Sequence, residues 1–176
     1  MLGLLLPFYS SDFFSNYSET VGLWFSNFEF NAGLYNAIKH LAIQFDGKPW
    51  ELIKIYGKIT PIITILVVLL FTFLRKNQKM TILITSMLWI LAIYYFISPT
   101  VHPWYIAFVI LLTIFTSYRF SLIWSATVIL SYWAYSNNDF KEHLGLLSLE
   151  YLLVFGFMIY EIVKLKGQKL LFSKKY

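Results

Sequence analysis

A chain of 176 residues that is 59% hydrophobic, 20% aromatic and only 13% charged cannot cover a soluble surface, since soluble domains carry about 25% charged residues. Its net charge of +5 comes from basic residues set mostly at the ends of apolar runs, where they orient a membrane protein, so no nucleic-acid partner is expected. The absence of cysteine excludes disulfides and thiolate metal sites.

Met1 to Phe8 is apolar, but it lacks the basic start and small-residue cleavage site of a signal peptide. It reads as the last two turns of a membrane helix that begins upstream, with a short interfacial N-terminus as the other reading. Residues 9–58 are half polar and rich in aromatics. From Glu29 to Phe45 the residues Phe30, Leu34, Ile38, Leu41 and Phe45 recur at three- and four-residue steps, which makes one apolar stripe on a helix. This predicts an amphipathic helix lying on the outer membrane surface. Gly47-Lys48-Pro49 then breaks it.

Five apolar stretches follow: Ile59–Leu74 with Pro61 in its opening turn, Met80–Ile97, Pro103–Ser117, Phe120–Tyr135 and Gly145–Val163. A span needs about 20 apolar residues. The expected fold is therefore all-α, a polytopic membrane helix bundle of about five transmembrane helices preceded by the interfacial helix. Residues 1–58 hold the helix end and the extracytoplasmic interfacial segment, 59–164 the bundle, and 165–176 a basic cytoplasmic tail. If the spans alternate, nine basic residues (Arg75, Lys76, Lys79, Arg119, Lys164, Lys166, Lys169, Lys174, Lys175) share one side and five (Lys39, Lys48, Lys54, Lys58, Lys141) the other. The positive-inside rule places the C-terminus in the cytoplasm, in the inner membrane, and the loop at His102 outside.

Ser98-Pro99-Thr100-Val101-His102-Pro103-Trp104-Tyr105 is the most informative loop. Pro103 suits the first position of a helix, which puts His102 at its N-cap, facing the helix's positive end. Free N–H groups beside a histidine make a phosphate site; an ordinary tight turn with two belt aromatics is the plainer reading. Fifteen residues from Pro103 to Ser117 reach about 22 Å as helix, short of a hydrocarbon core, so the loop is expected to dip into a protein-lined cavity. Glu29 and Asn31 stand among aromatics in Trp24–Tyr35, a composition suited to sugars or, more simply, to a helix start with a capping asparagine. Glu150 lies inside the last stretch, and an ionisable residue in a span is a functional candidate. Glu161 lies near its inner end, where Lys164 or Lys166 can pair with it; Arg119 at the cytoplasmic turn is a weaker candidate. No P-loop, HExxH, GxSxG, Rossmann pattern or metal-ligand spacing is present.

Phe30-Asn31-Ala32-Gly33-Leu34-Tyr35, the Ser98–Tyr105 turn, Thr116-Ser117-Tyr118-Arg119-Phe120 with Trp124 and Trp133, and the Glu150-Tyr151 span together resemble, in order and over nearly the whole chain, the C-terminal half of bacterial polytopic glycosyltransferases of the GT-C type. That group includes mannosyltransferase-like proteins that use polyprenyl-phosphate sugars. The resemblance implies transfer of a hexose, mannose foremost, from a lipid-phosphate donor at the outer face of the cytoplasmic membrane, by inverting displacement. It implies that His102, Trp104 and Tyr105 line the donor-phosphate end of a cavity, and that Asn31 and Tyr35 border its sugar-acceptor side; Glu29 and Glu150 join the substrate-cavity candidates. The family's catalytic acid lies in an early outer loop with no equivalent here, so it is expected outside this chain, in a missing N-terminal half. No cofactor is implied; a divalent metal is compatible with the family, but no ligand set is visible. Expected partners are membrane lipid, the lipid-linked sugar donor, and that N-terminal half or a partner subunit. The alternative is a non-catalytic membrane subunit packing against a partner membrane protein.

The charge pattern makes a direct prediction. Because the chain has no cysteine, single cysteines at Asn77, Thr100, Asn138 and Ser173 report on their own positions. An impermeant thiol reagent added outside intact cells should label Thr100 and Asn138 only. Labelling at Asn77 would reverse the orientation.

Overall fold

The computed structural model describes residues 10–173, with side chains described throughout that range except at 23–27 and 166–173. The apolar N-terminal stretch to Phe8, the Trp24 side chain and most of the basic tail therefore lie outside what is described. The described chain is all-helical, with one isolated parallel bridge between Phe30 and Thr100.

Helix α1, Ser11–Asn27, opens on Ser10, whose hydroxyl accepts from the Phe13 N–H at 3.0 Å, with Asp12 in the positive first turn. Its sequence mixes polar and aromatic residues without a clean stripe and so does not predict a helix; it packs along α3. Helix α2, Gly33–Gln44, starts four residues later than the stripe predicts, because Glu29–Ala32 is committed to the bridge. Of the predicted stripe, Leu34, Leu41 and Phe45 are exposed, while Tyr35 and Asn36 on another face are buried against the protein. Ile38 is half-buried and Phe30, which precedes the helix, is buried, so only Leu34, Leu41 and Phe45 of the stripe face away from the bundle, as they would on an interfacial helix.

The α2 helix ends where the N–H groups of Phe45 and Gly47 return to the Ala42 carbonyl at 3.0 and 2.8 Å. A Cβ at Gly47 would sit 2.7 Å from that oxygen, so the turn needs glycine. Helix α3 runs Pro49–Leu74, 26 residues. Ile59, where the sequence suggests a change from interfacial to membrane segment, lies inside it, and Pro61 is interior and not in an opening turn. Proline there leaves the Gly57 carbonyl without its helical donor, and the helix continues past it.

Helix α4 is Met80–Ile97. After the Ser98–His102 loop, a 3-10 turn Pro103–Tyr105 leads into α5, Ile106–Ile114. Helix α6, Phe120–Thr127, passes into a 3-10 helix Val128–Ser136, and α7 spans Leu144–Ser173. Three helical stretches are long and apolar enough to cross a membrane: Pro49–Leu74, Met80–Ile97 and Leu144–Leu165. The third and fourth predicted stretches are shorter or broken. Around the fourth, hydroxyls bind the carbonyls three residues back (Thr127 to Trp124, Ser131 to Val128, Ser136 to Trp133), competing for acceptors that an α-helix would use and favouring the tighter winding.

The core lies where α4, α5, α6 and α7 meet. Leu88, Ala92 and Phe96 on α4, Phe120, Trp124 and Val128 through α6, and Leu147, Tyr151 and Val154 on α7 are buried at three- and four-residue intervals. Between membrane helices such packing is not driven by exclusion from water, so polar contacts carry much of the specificity. Thr113 and Ser121 join α5 to α6 through their hydroxyls at 2.7 Å. At the same end, Glu161 accepts the Arg119 N–H at 2.7 and 2.9 Å and the Phe120 N–H at 2.9 Å. Among the described residues its partners are therefore the unpaired amides at the start of α6 and not Lys164, while the Lys166 side chain lies outside the described residues. Arg119 mirrors this by donating through Nη1 to the carbonyls of Thr113, Thr116 and Tyr118.

Glu161→Ala strands those amides and should lower unfolding stability in detergent by about 2 kcal/mol, the scale of charge-assisted hydrogen bonds. Glu161→Gln, which keeps one acceptor oxygen, should lose less. Equal thermal midpoints for all three proteins would show that water replaces the carboxylate.

Candidate functional site

The two loops singled out in the sequence lie side by side. Phe30 donates its N–H to the Pro99 carbonyl at 3.1 Å and accepts from the Val101 N–H at 2.8 Å, while the Thr100 hydroxyl reaches the Phe28 carbonyl at 2.9 Å. Extended backbone with unpaired edges is costly in apolar surroundings, and each loop supplies the other's partners.

Asn31 follows with φ of 50°, in the left-handed region that asparagine tolerates better than most residues. That geometry sends its side chain into the bundle. Its Nδ2 donates to Glu150 Oε1 at 3.0 Å, and the Trp124 indole N–H donates to the same oxygen at 3.0 Å. The Tyr151 hydroxyl donates to the Asn31 carbonyl at 2.7 Å. Asn31 and Glu150 are both 0% exposed. Asn31 Oδ1 and Glu150 Oε2 are buried without a hydrogen-bond partner. Gly33 is required beside them, because a Cβ there would lie 2.7 Å from the Tyr151 ring.

Glu142, just before α7, takes the Asn31 N–H and the Asn36 amide, the latter at 3.1 Å. Burial holds its carboxyl above the usual carboxylate range, against the pull of those two donors. Glu29 pairs with Lys39 across the same opening. Tyr35 is buried below, its phenol pushed up by burial and then by the Glu29 carboxylate.

Two hollows adjoin this network. One, of about 540 Å³, is lined by Glu29, Lys39, His40, Glu142 and their neighbours. The other, also about 540 Å³, is an apolar groove between α2, α4 and α7 lined by Phe96, Leu147, Leu152 and Phe155 among others. They share Asn36, His40 and Leu144.

Of the residues predicted from the sequence, Glu29 lines the polar hollow, Asn31 and Tyr35 lie beneath it, and Glu150 is bound to Asn31. His102, Trp104 and Tyr105 form a separate cluster behind Phe30. The His102 ring stacks on Trp104 at 4.3 Å and on Phe30 at 5.2 Å, with the Tyr105 edge at 5.4 Å. His102 precedes the 3-10 turn at its N-cap position, without a side-chain cap. Burial lowers its pKa, which favours the neutral imidazole. Reading the sequence missed Glu142 and His40. A signal existed for both: Asn36, Lys39 and His40 share the polar face of α2, and Glu142 stands two turns' worth of residues before Glu150. Among the described residues no group of three or more His, Asp or Glu side chains could hold a metal ion.

Comparison with family models, with curated proteins and with solved structures gives no match for this chain.

Asn31→Asp sets a second carboxylate against buried Glu150. Its thermal midpoint in detergent should fall further than that of Asn31→Ala, by the equivalent of about 3 kcal/mol or more against the parent chain. An unchanged midpoint in both variants would show that this node does not hold the loop.

Proposed function

We propose that this chain is the membrane-embedded C-terminal portion of a glycosyltransferase acting on a lipid-linked sugar. The observation that carries the reading is the joining of a polar hollow to an apolar groove through Asn36, His40 and Leu144. A ligand with a hydroxyl-rich head and a long apolar tail fits that pair. Carboxylates at Glu29 and Glu142 accept hydrogen bonds from sugar hydroxyls, Lys39 and Asn36 donate to sugar oxygens, and the groove receives the chain. The resemblance to GT-C enzymes supports the same assignment and favours a hexose, mannose foremost.

A lipid whose sugar fills the hollow and whose chain fills the groove carries its phosphate between them, so the donor phosphate is proposed at their junction beside Asn36 and His40. The resemblance instead puts it by His102 with Trp104 and Tyr105, which line neither hollow. The catalytic carboxylate is placed outside this chain.

The reading includes five crossings of the inner membrane with the C-terminus in the cytoplasm. Eight α-helical residues at about 1.5 Å each and nine 3-10 residues at about 2.0 Å each carry Phe120–Ser136 about 30 Å, enough for a hydrocarbon core. Pro103–Ile114 reaches about 20 Å on the same rises, so its His102 end sits below the headgroups.

Glu29→Gln tests the head site, because Glu29 is a partly exposed rim residue. In nanodiscs, the full chain should bind polyprenyl-phosphate mannose, and Glu29→Gln should weaken that binding about 10-fold, the loss of a charge-assisted hydrogen bond. Unglycosylated polyprenyl phosphate should be indifferent to the substitution. Equal affinity of the parent chain and Glu29→Gln for the mannosylated lipid would leave the non-catalytic subunit as the better account.

A further inference from the structure

We propose a second site, at the opposite end of the bundle from Glu150, that binds the phosphate headgroup of an anionic phospholipid. It is independent of the glycosyltransferase reading and needs only that the helices lie in a bilayer. The site is built around the loop that joins α5 to α6. On one side of the loop a hollow of about 490 Å³ is lined by Arg119, Lys164 and Tyr160. On the other, a hollow of about 560 Å³ is lined by Arg75, Thr81, Thr85 and Tyr118. Both hollows include Thr116, Ser117 and Leu165, so the loop's hydroxyls stand between them.

Three cations therefore surround one hydroxyl-bearing loop. None of Arg75, Arg119 and Lys164 forms a salt bridge among the described residues. Arg75 and Lys164 are placed over aromatic rings, Phe71 at 5.9 Å and Tyr160 at 5.5 Å, which favours the cation without neutralising it. The one carboxylate in the lining, Glu161, is held by the backbone N–H groups of Arg119 and Phe120 at the start of α6. Its charge is offset by that helix end. The balance at this end is positive, where the polar hollow beside Glu142 has carboxylates and lysines mixed.

What makes the ligand a lipid rather than a free anion is the surface next to the cations. Ile114 and Phe115, 64% and 56% exposed, and Val163, 64% exposed, lie within a residue or two of the site's loop and of Lys164. An acyl chain running down these residues from a phosphate at the loop fits both chemistries. Basic pockets between membrane helices hold anionic headgroups in this way.

The test uses the full chain in nanodiscs of phosphatidylcholine with about one-fifth phosphatidylglycerol, and native mass spectrometry to count retained lipid. The parent chain should retain phosphatidylglycerol in preference to phosphatidylcholine. Arg75→Gln with Lys164→Gln should reduce that retention about 5-fold per charge removed, on the usual worth of a lysine or arginine near an anionic surface. The charge-keeping pair Arg75→Lys with Lys164→Arg should retain it, as should Lys141→Gln at the other end of the bundle. Inorganic phosphate at millimolar concentration should not displace it. Equal retention of the two lipids, parent-like retention by the double glutamine variant, loss in the charge-keeping pair, or complete displacement by phosphate would each overturn the proposal.

Discussion

The carboxylate of Glu150 is the constraint on which the rest of one end of the molecule depends. It is fully buried in an apolar bundle, where a carboxyl group without partners costs several kcal/mol. Two donors reach one of its oxygens, and they come from different parts of the chain: Trp124 on α6 and Asn31 on the loop before α2. Neither donor is available unless its own segment is in place. Asn31 must accept a left-handed backbone conformation, at a cost on the order of 1 kcal/mol. It is held there from three directions, by Glu150 on its side chain, Glu142 on its N–H and Tyr151 on its carbonyl. The backbone of the residue before it then lies against Pro99 and Val101. One buried acid thereby fixes the loop 28–32, through that loop the loop 98–102, and through Phe30 the stack on His102.

The opposite end is governed by the same physics with backbone groups as the clients. Short helices create many unpaired N–H and C=O groups, and α5 and α6 have nine and eight residues. Glu161 closes the amino end of α6 and Arg119 the carboxyl end of α5, each reaching backbone and not each other. A carboxylate on a positive helix end and a guanidinium on a negative one also match the helix dipoles. The hydroxyl pair between Thr113 and Ser121 is the direct side-chain tie of this hairpin. Two short helices can therefore persist where an isolated helix of that length would not.

These dependencies also explain what could be read from the sequence. Met80–Ile97 carries no charge and no helix breaker, so its bounds were legible to the residue. Glu150 was legible as a group that must be turned inward, because lipid offers a carboxylate nothing. Its partners were not: Asn31 is 119 positions away, and no periodicity connects a loop residue to a helix across that distance. Glu161 illustrates the opposite difficulty. Nearby lysines offered an obvious local pairing, yet the unpaired amides of α6 are a stronger claim on a buried carboxylate than a lysine that can reach water. Helix α1 was hidden because its polar and aromatic residues make no clean stripe, although its Ser10 cap and Asp12 were visible signals. The breaks at Thr127, Ser131 and Ser136 belong to a competition between hydroxyl and amide donors, which hydropathy does not register.

The arrangement around Phe30 bears on how a ligand site could be tuned. The polar hollow, walled on one side by α2, and the His102 cluster flank one short extended segment. Their positions relative to each other are set by three backbone and hydroxyl contacts and by the Asn31–Glu150 bond. A change at Glu150 therefore moves the floor of the hollow, through Asn31 and Glu142, and also the histidine stack, through Phe30. A residue with no exposed surface can in this way control two surfaces at once. Its carboxylate acts through Asn31, which is joined on one side to Glu142 at the hollow and on the other, through Phe30, to the loop that carries His102.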